Sequence, residues 1–71
     1  MQRSIGKSMR LCRVARGVSV IELSERSGVS ESTIYHTEQD KSYPGVLILA
    51  ALADALDVSL DEYIGRVVRN G

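Results

Sequence analysis

The residues that most often carry catalysis or bind metal are scarce in this sequence. Cys12 is the only cysteine and His36 the only histidine, so no set of Cys and His ligands for zinc can be assembled. Gly6-Lys7-Ser8 resembles the end of a phosphate-binding P-loop, but the glycine that should open such a loop would fall at Met1. We therefore expect no enzyme, no metal site and no cofactor.

The same scarcity of cysteine bears on the compartment. Small secreted domains usually contain several disulfides, and Cys12 cannot form an intramolecular one, so we expect a reduced, cytoplasmic setting. Residues 1–16 are basic but contain no unbroken apolar run, which argues against a signal peptide or a membrane anchor. The length of 71 residues predicts one domain, 1–71, with a core of aliphatic side chains, because Trp and Phe are absent.

Charge is balanced overall but unevenly distributed. Nine basic and nine acidic residues give a net charge of zero, which argues against a nonspecific binder of polyanions. Residues 1–16 contain five basic residues and no acid, whereas residues 17–40 contain five acids against Arg26 alone. Attraction to an anionic partner would therefore depend chiefly on the first part of the chain.

Helix start and stop signals recur at short intervals and predict five helices. Ser19 and Ser59 each precede a glutamate by three residues, which is the capping-box pattern, and Ser30 is a third N-cap. Gly28 ends the second helix, and Pro44 suits the first position of the fourth. The predicted helices span residues 3–16, 20–27, 31–39, 45–56 and 60–69.

The connection between the second and third helices carries the most information. It consists of Gly28-Val29-Ser30 alone, so the two helices must cross steeply, as in a helix-turn-helix that places its second helix in the DNA major groove. Leu23 should face inward, the small Ser24 leaves room for the neighbouring helix, and Ile34 should hold helix 3 on the core. The pattern predicts an all-α fold that contains a helix-turn-helix.

Taken together, these residues resemble the Cro/repressor type of helix-turn-helix regulator, also called the xenobiotic-response-element (XRE) family. The resemblance covers Ile5 to about Ile64. It implies a compact five-helix, lambda-repressor-like domain that binds double-stranded DNA as a repressor or controller of transcription. The resemblance is carried by Ile5-Gly6-Lys7, Arg10, Arg13, Gly17-Val18-Ser19, the stretch from Glu22 to Ser30, Ser32-Thr33-Ile34, Glu38, Lys41, Pro44 and the stretch from Leu49 to Leu60.

The resemblance further implies that helix 3 reads the DNA sequence. A glutamate can accept from the cytosine amino group, a serine can donate or accept, and a histidine can donate to a purine acceptor. The side chains implied as base readers are Glu31, Ser32, Tyr35 and His36. Helix N-termini and nearby polar groups would hold the DNA backbone. The residues implied for that role are Arg10, Ser19, Ser30, Thr33, Gln39, Lys41 and Ser42.

An ion pair between Arg13 and Glu38 is also implied, and it would join helix 1 to the end of helix 3 as a structural link. Several positions depart from the family pattern, among them Thr37, which replaces a usually apolar residue, and Tyr43, which replaces a frequent Asn cap before Pro44. Val20 replaces a frequent glutamine that holds a phosphate, and Asp40 replaces a usual glycine, although aspartate tolerates a left-handed backbone.

Helix 4 is apolar nearly all round, and a small domain cannot bury every face of a helix. Either a few apolar side chains are simply exposed, or a partner covers them, most simply a second copy that forms a homodimer on a two-fold operator. The residues expected on that surface are Leu47, Ile48, Tyr63, Val67 and Val68.

A second function fits the neutral charge and the acidic Glu31 on helix 3. The chain could be a protein-interaction module, or an antitoxin-like partner, that uses the apolar surface of helices 4 and 5. DNA binding weakens steeply as salt rises because counterions are released, whereas an apolar protein interface hardly responds. Salt dependence therefore separates the two hypotheses.

Overall fold

The structure is a computed structural model that describes residues 5–65, and this range contains five helices and no strand. The predicted all-α fold is confirmed. The helices are α1 (Ile5–Ala15), α2 (Val20–Ser27), α3 (Glu31–Glu38), α4 (Val46–Ala55) and α5 (Leu60–Tyr63).

The helix starts are set by serine side chains. The hydroxyl oxygens of Ser19, Ser30 and Ser59 accept from the backbone N–H three residues later, at 3.0, 3.2 and 3.0 Å. Each bond satisfies one of the N–H groups that a helix leaves without an internal partner. Gly28 ends α2 in the left-handed conformation, with φ 78°, and its N–H donates to the Ser24 carbonyl at 2.9 Å.

The core lies where all five helices meet. Leu23, Ile34, Leu52 and Tyr63, from α2, α3, α4 and α5, are fully buried, and Met9 joins them from α1. Burial of a side chain of this size stabilises the fold by about 1.5–3 kcal/mol relative to exposure. Since α3 packs on both α1 and α2, its position depends on the first two helices.

The start of α1 lies unusually close to the end of α3. A Cβ atom on Gly6 would stand 2.5 Å from the Thr37 carbonyl oxygen and 2.6 Å from that of Glu38. The Gly6 N–H also donates to Oδ1 of Asp40 at 2.9 Å, and Asp40 adopts the left-handed conformation with φ 58°. The left-handed backbone of Asp40 was expected, whereas the hydrogen bond of its carboxylate was not.

The ends of α1, α3 and α4 each fall one residue earlier than predicted, and two other boundaries, the α4 start and the α5 end, differ for identifiable reasons. Gly45 is the N-cap of α4 and has an extended backbone, with φ −68° and ψ 168°, so Pro44 precedes the helix instead of opening it. Helix α5 ends at Tyr63, because Ile64 is its C-cap and Gly65 is left-handed with φ 79°. Residues 66–69 of the predicted fifth helix, which include Val67 and Val68, lie outside the described residues.

Candidate nucleic-acid interface

The turn between α2 and α3 orients the outer face of α3. After Gly28, the Val29 N–H donates to Oγ of Ser27 at 3.1 Å, and Ser30 then caps α3. Leu23 and Ile34, one on each side of this turn, have no exposed surface. The two short helices are thus held together at a fixed angle by apolar contacts, which leaves one face of α3 directed outward.

Helix α3 divides cleanly into two faces. Ile34, Thr37 and Glu38 are buried, and the Thr37 hydroxyl donates to the Ile34 carbonyl at 2.9 Å, which satisfies a polar group inside the core. The opposite face is exposed and polar. Its residues are Glu31, Ser32, Tyr35, His36 and, just beyond the helix, Gln39.

The predicted ion pair between Arg13 and Glu38 is present and bidentate. Arg13 Nε lies 2.8 Å from Oε2 of Glu38, and Nη2 lies 3.0 Å from Oε1. The third guanidinium nitrogen, Nη1, donates to the Val18 carbonyl at 2.9 Å. With side-chain exposures of 12% and 4%, the two charges are largely withdrawn from water and depend on each other.

The hydrogen bond to Glu38 raises the pKa of Arg13, although partial burial acts in the opposite direction. The guanidinium therefore stays charged throughout the pH range in which the domain would function. This pair joins α1, the α1–α2 turn and the last residue of α3, so it fixes the end of α3 at two points of the chain.

A pair of hydroxyl groups lies at the start of α3. Ser30 accepts from the Thr33 N–H and donates its own proton to Oγ1 of Thr33 at 2.9 Å. The two hydroxyl groups thus share one hydrogen bond, which leaves one of their two hydrogens for another acceptor. Ser30 is exposed and Thr33 is half-buried.

A cleft of about 360 Å³ opens where α1, the start of α2 and the end of α3 meet. Its floor is formed by Val20 and the ion pair between Arg13 and Glu38. Four residues that the sequence analysis assigned to DNA also line it, and they come from three different elements. These residues are Arg10, Ser19, Tyr35 and Gln39.

The remaining two residues implied for the DNA backbone lie on the loop after α3. Lys41 and Ser42 are exposed, and the Lys41 N–H donates to the His36 carbonyl at 2.8 Å. This bond holds the loop against the end of α3. Lys41 is therefore placed at the edge of the polar face of α3 rather than in the cleft.

Only some of the residues expected on the partner surface are exposed. Leu47 is 86% exposed and Ile48 is 37% exposed, in agreement with the expectation of an uncovered face on α4. Tyr63 was wrongly placed there, because its side chain is fully buried and α5 turns it into the core. Burial also raises the pKa of the Tyr63 phenol, with Glu38 contributing in the same direction.

Sequence reasoning missed the contact between Gly6 and Asp40, and it named Val20 only as a departure from the family pattern. Gly6 and Asp40 connect the start of α1 to the end of α3, and Val20 lies on the floor of the cleft. In the sequence, Gly6 is a glycine near the start of one helix, and Asp40 is a turn-forming residue just after a different helix. Neither feature indicates that the two residues form a hydrogen bond. Residues far apart in sequence come together here only through the packing of α1 on α3.

No group of three or more His, Cys, Asp or Glu side chains in residues 5–65 is arranged to hold a metal ion. Within the same range, no helix has the length and apolar character needed to cross a membrane.

The steep turn after α2, the outward polar face of α3 and the cleft beside it define a helix-turn-helix domain. A model of the helix-turn-helix family matches residues 9–63, which is most of the chain. The chain therefore belongs to this family, in its Cro/C1 or XRE type, and the family's domain binds DNA and regulates transcription. A search among curated proteins finds no match to the chain.

Proposed function

We propose that the chain is a sequence-specific transcription regulator of the cytoplasm that binds a two-fold operator as a dimer, with α3 in the major groove. The observation that carries this proposal is the cleft in which Arg10, Ser19, Tyr35 and Gln39 converge beside the polar face of α3. Groups that can hold phosphate and groups that can reach base edges thus lie on one side of the domain.

The base-reading role falls to the exposed face of α3. Ser32 and His36 are four residues apart and so point the same way, and Glu31 and Tyr35 form a parallel row beside them. Glu31 would accept from a cytosine amino group, and His36 would donate to N7 or O6 of a purine. A carboxylate this close to phosphates restricts the sequences that can bind, because only a donor at its position offsets the repulsion.

The backbone-holding role falls to groups around that face. Arg10 and Lys41 would supply positive charge, and Ser19, Gln39 and Ser42 would supply polar contacts. At the start of α3, the hydroxyl group of Thr33 suits a phosphate oxygen, and Ser30 would contribute its backbone N–H. Val20, the first residue of α2, is apolar and buried, so it adds no side-chain amide to the groups that would hold the DNA backbone.

The test is selection of bound duplexes from a random DNA pool, followed by titration of the winners at several salt concentrations. We expect a motif with two related half-sites. Two cations per protomer predict a slope of log affinity against log salt of about −4 or shallower for a dimer. Recovery of random sequences, or of no DNA even at low salt, would remove the proposal.

The competing function is an interaction module that binds another protein through the apolar surface of α4. The observation that favours it is Leu47, which is the most exposed large apolar side chain of the described residues. Such binding would persist at high salt, because apolar contacts are not weakened by counterions. A partner that stays bound at high salt, together with no enriched DNA motif, would favour this second function.

A further inference from the structure

Besides Ile21 on α2 and Tyr35 on the polar face of α3, the described part of the chain exposes large apolar side chains in two groups. The α1 patch consists of Leu11 and Val14, which are 55% and 52% exposed and lie one turn apart. The α4 patch consists of Tyr43, Val46, Leu47 and Ile48, of which the first three are 75%, 67% and 86% exposed. Helices α1 and α4 do not pack on each other, so these are different surfaces.

The charges around the two patches differ. Lys7 and Arg10 lie one helical turn before Leu11 and Val14, and residues 5–16 contain no acid. Two copies that met through this face would bring like charges together, which opposes association. By contrast, residues 42–53 around the α4 patch contain no charged side chain, so two copies can meet there without repulsion.

We infer that the α4 patch is the surface through which two copies of this chain pair, and that this contact is too small to hold them together at low protein concentration without DNA. The inference rests on the proposed function and names its pairing surface. A two-fold contact uses the same patch on both partners, and an uncharged apolar patch is complementary to itself.

The area of the patch explains why the pairing is weak. From the exposed fractions of its four side chains, the patch offers roughly 500 Å² per protomer. A standard stable interface takes about 800 Å² per partner. Free chains should therefore be mostly monomeric at low concentration, and two adjacent half-sites on DNA should bring the patches together.

The position of the patch supports this coupling. The loop from Asp40 to Gly45 leads directly from the end of α3 to the first turn of α4, and the Lys41 N–H ties it to α3. The α4 patch therefore begins only five residues along the chain from the end of α3, although α4 itself does not pack on α3.

The test compares two double variants of matched composition. Val46→Gln/Leu47→Gln changes the α4 patch, and Val14→Gln/Leu11→Gln changes the α1 patch, in both cases without altering charge. Circular dichroism establishes that each variant folds. The mean mass of the full chain is then measured by sedimentation from about 10 μM to about 1 mM, a range suited to a weak dimer.

We expect the mean mass of the wild type and of the α1 variant to rise with concentration, and that of the α4 variant to stay monomeric. Loss of self-association in the α1 variant alone would overturn the inference. A wild type that remains monomeric at about 1 mM would overturn it equally. This arm uses no DNA, so its failure is distinct from failure of the proposed function.

The second arm uses duplexes that carry one or two half-sites of the selected motif. The α4 variant should bind a single half-site as the wild type does but lose about 10- to 100-fold in affinity for the double site. Equal losses on both duplexes would mean that the patch touches DNA instead, and an unchanged affinity for the double site would mean that another surface pairs.

Discussion

The junction of α1 with α3 and the first turn of α4 are both places where a helix begins beside a glycine, but they are built differently. At Gly6 a Cβ atom would meet backbone oxygens at 2.5 and 2.6 Å, and at Gly45 it would meet nothing within 4 Å. The junction is closed by the Gly6 and Asp40 hydrogen bond and lies beside the buried pair of Arg13 and Glu38.

This difference shows which parts of the domain must be placed accurately for the polar face of α3 to be positioned. The junction determines where α3 ends, and a small error there would move every side chain on the polar face of α3. The first turn of α4 has no side-chain cap and exposes Leu47, so its position is set by the α4 residues that reach the core, such as Leu52. We expect substitutions at the junction to cost far more than substitutions at the α4 start.

The largest effect is expected from breaking the buried ion pair. Glu38→Ala leaves the Arg13 guanidinium without a partner in a site that is 12% exposed, and loss of one member of such a pair costs about 3–5 kcal/mol. A domain of this size has little more stability than that, so much of the variant should be unfolded. Urea denaturation followed by circular dichroism measures the change, and a loss below about 1 kcal/mol would contradict it.

The next largest effect is expected from adding a side chain at Gly6, where α1 comes close to the backbone at the end of α3. Gly6→Ala should force α1 away from the end of α3 and lower the free energy of unfolding by about 1–3 kcal/mol or more. Gly45→Ala is the matched control. Its surroundings are open, and the gain from a stiffer unfolded chain roughly offsets the weaker N-cap, so the net change should lie near zero. Similar losses in the two variants would mean that the junction is not tight.

The outward face of α3 should respond in specificity rather than stability. Ser32→Ala and His36→Ala remove exposed groups, so urea denaturation should change little, but discrimination at one or two base pairs should fall by about 1–3 kcal/mol. Lys41→Ala is the contrasting variant, since loss of a phosphate contact weakens all sequences alike and makes the salt slope shallower. Equal changes in specificity from all three would show that α3 is not the reader.

These same residues show which features of the fold and of the site can be predicted from the sequence. The caps at Ser19, Ser30 and Ser59 follow local rules and were predicted at the correct positions, as was the turn at Gly28. The pair of Arg13 and Glu38 came from family resemblance, since nothing local indicates that residues 25 apart meet. Tyr63 was misplaced because an apolar stripe on a short helix does not say which residue turns inward.

The cleft could not have been predicted from sequence for a related reason. Arg10, Ser19, Tyr35 and Gln39 lie on three elements, and only the packing of α1 and α2 on α3 brings them together. Each residue was assigned to DNA separately, and no spacing rule joins them. The exposure of Leu47, by contrast, follows from composition, because a helix that is apolar on every side must leave some of those side chains uncovered in a small domain.

The smallest effect is expected from the other ion pair, which tests whether burial rather than ionic contact gives the junction its importance. Arg26 and Glu22 are 2.6 Å apart on one face of α2, but their side chains are 49% and 43% exposed. Water and salt screen such a pair, and four-residue pairs on a helix contribute about 0.3–0.5 kcal/mol. Arg26→Ala should therefore lower the free energy of unfolding by no more than that, and the difference should disappear in concentrated salt. Arg13→Ala, at a pair that is bidentate and withdrawn from water, should cost several times more, and this cost should persist in salt. If the two arginine variants were equally destabilised, contact distance would decide the energy of these pairs, and the contrast between the α1–α3 junction and the exposed surface would lose its physical basis.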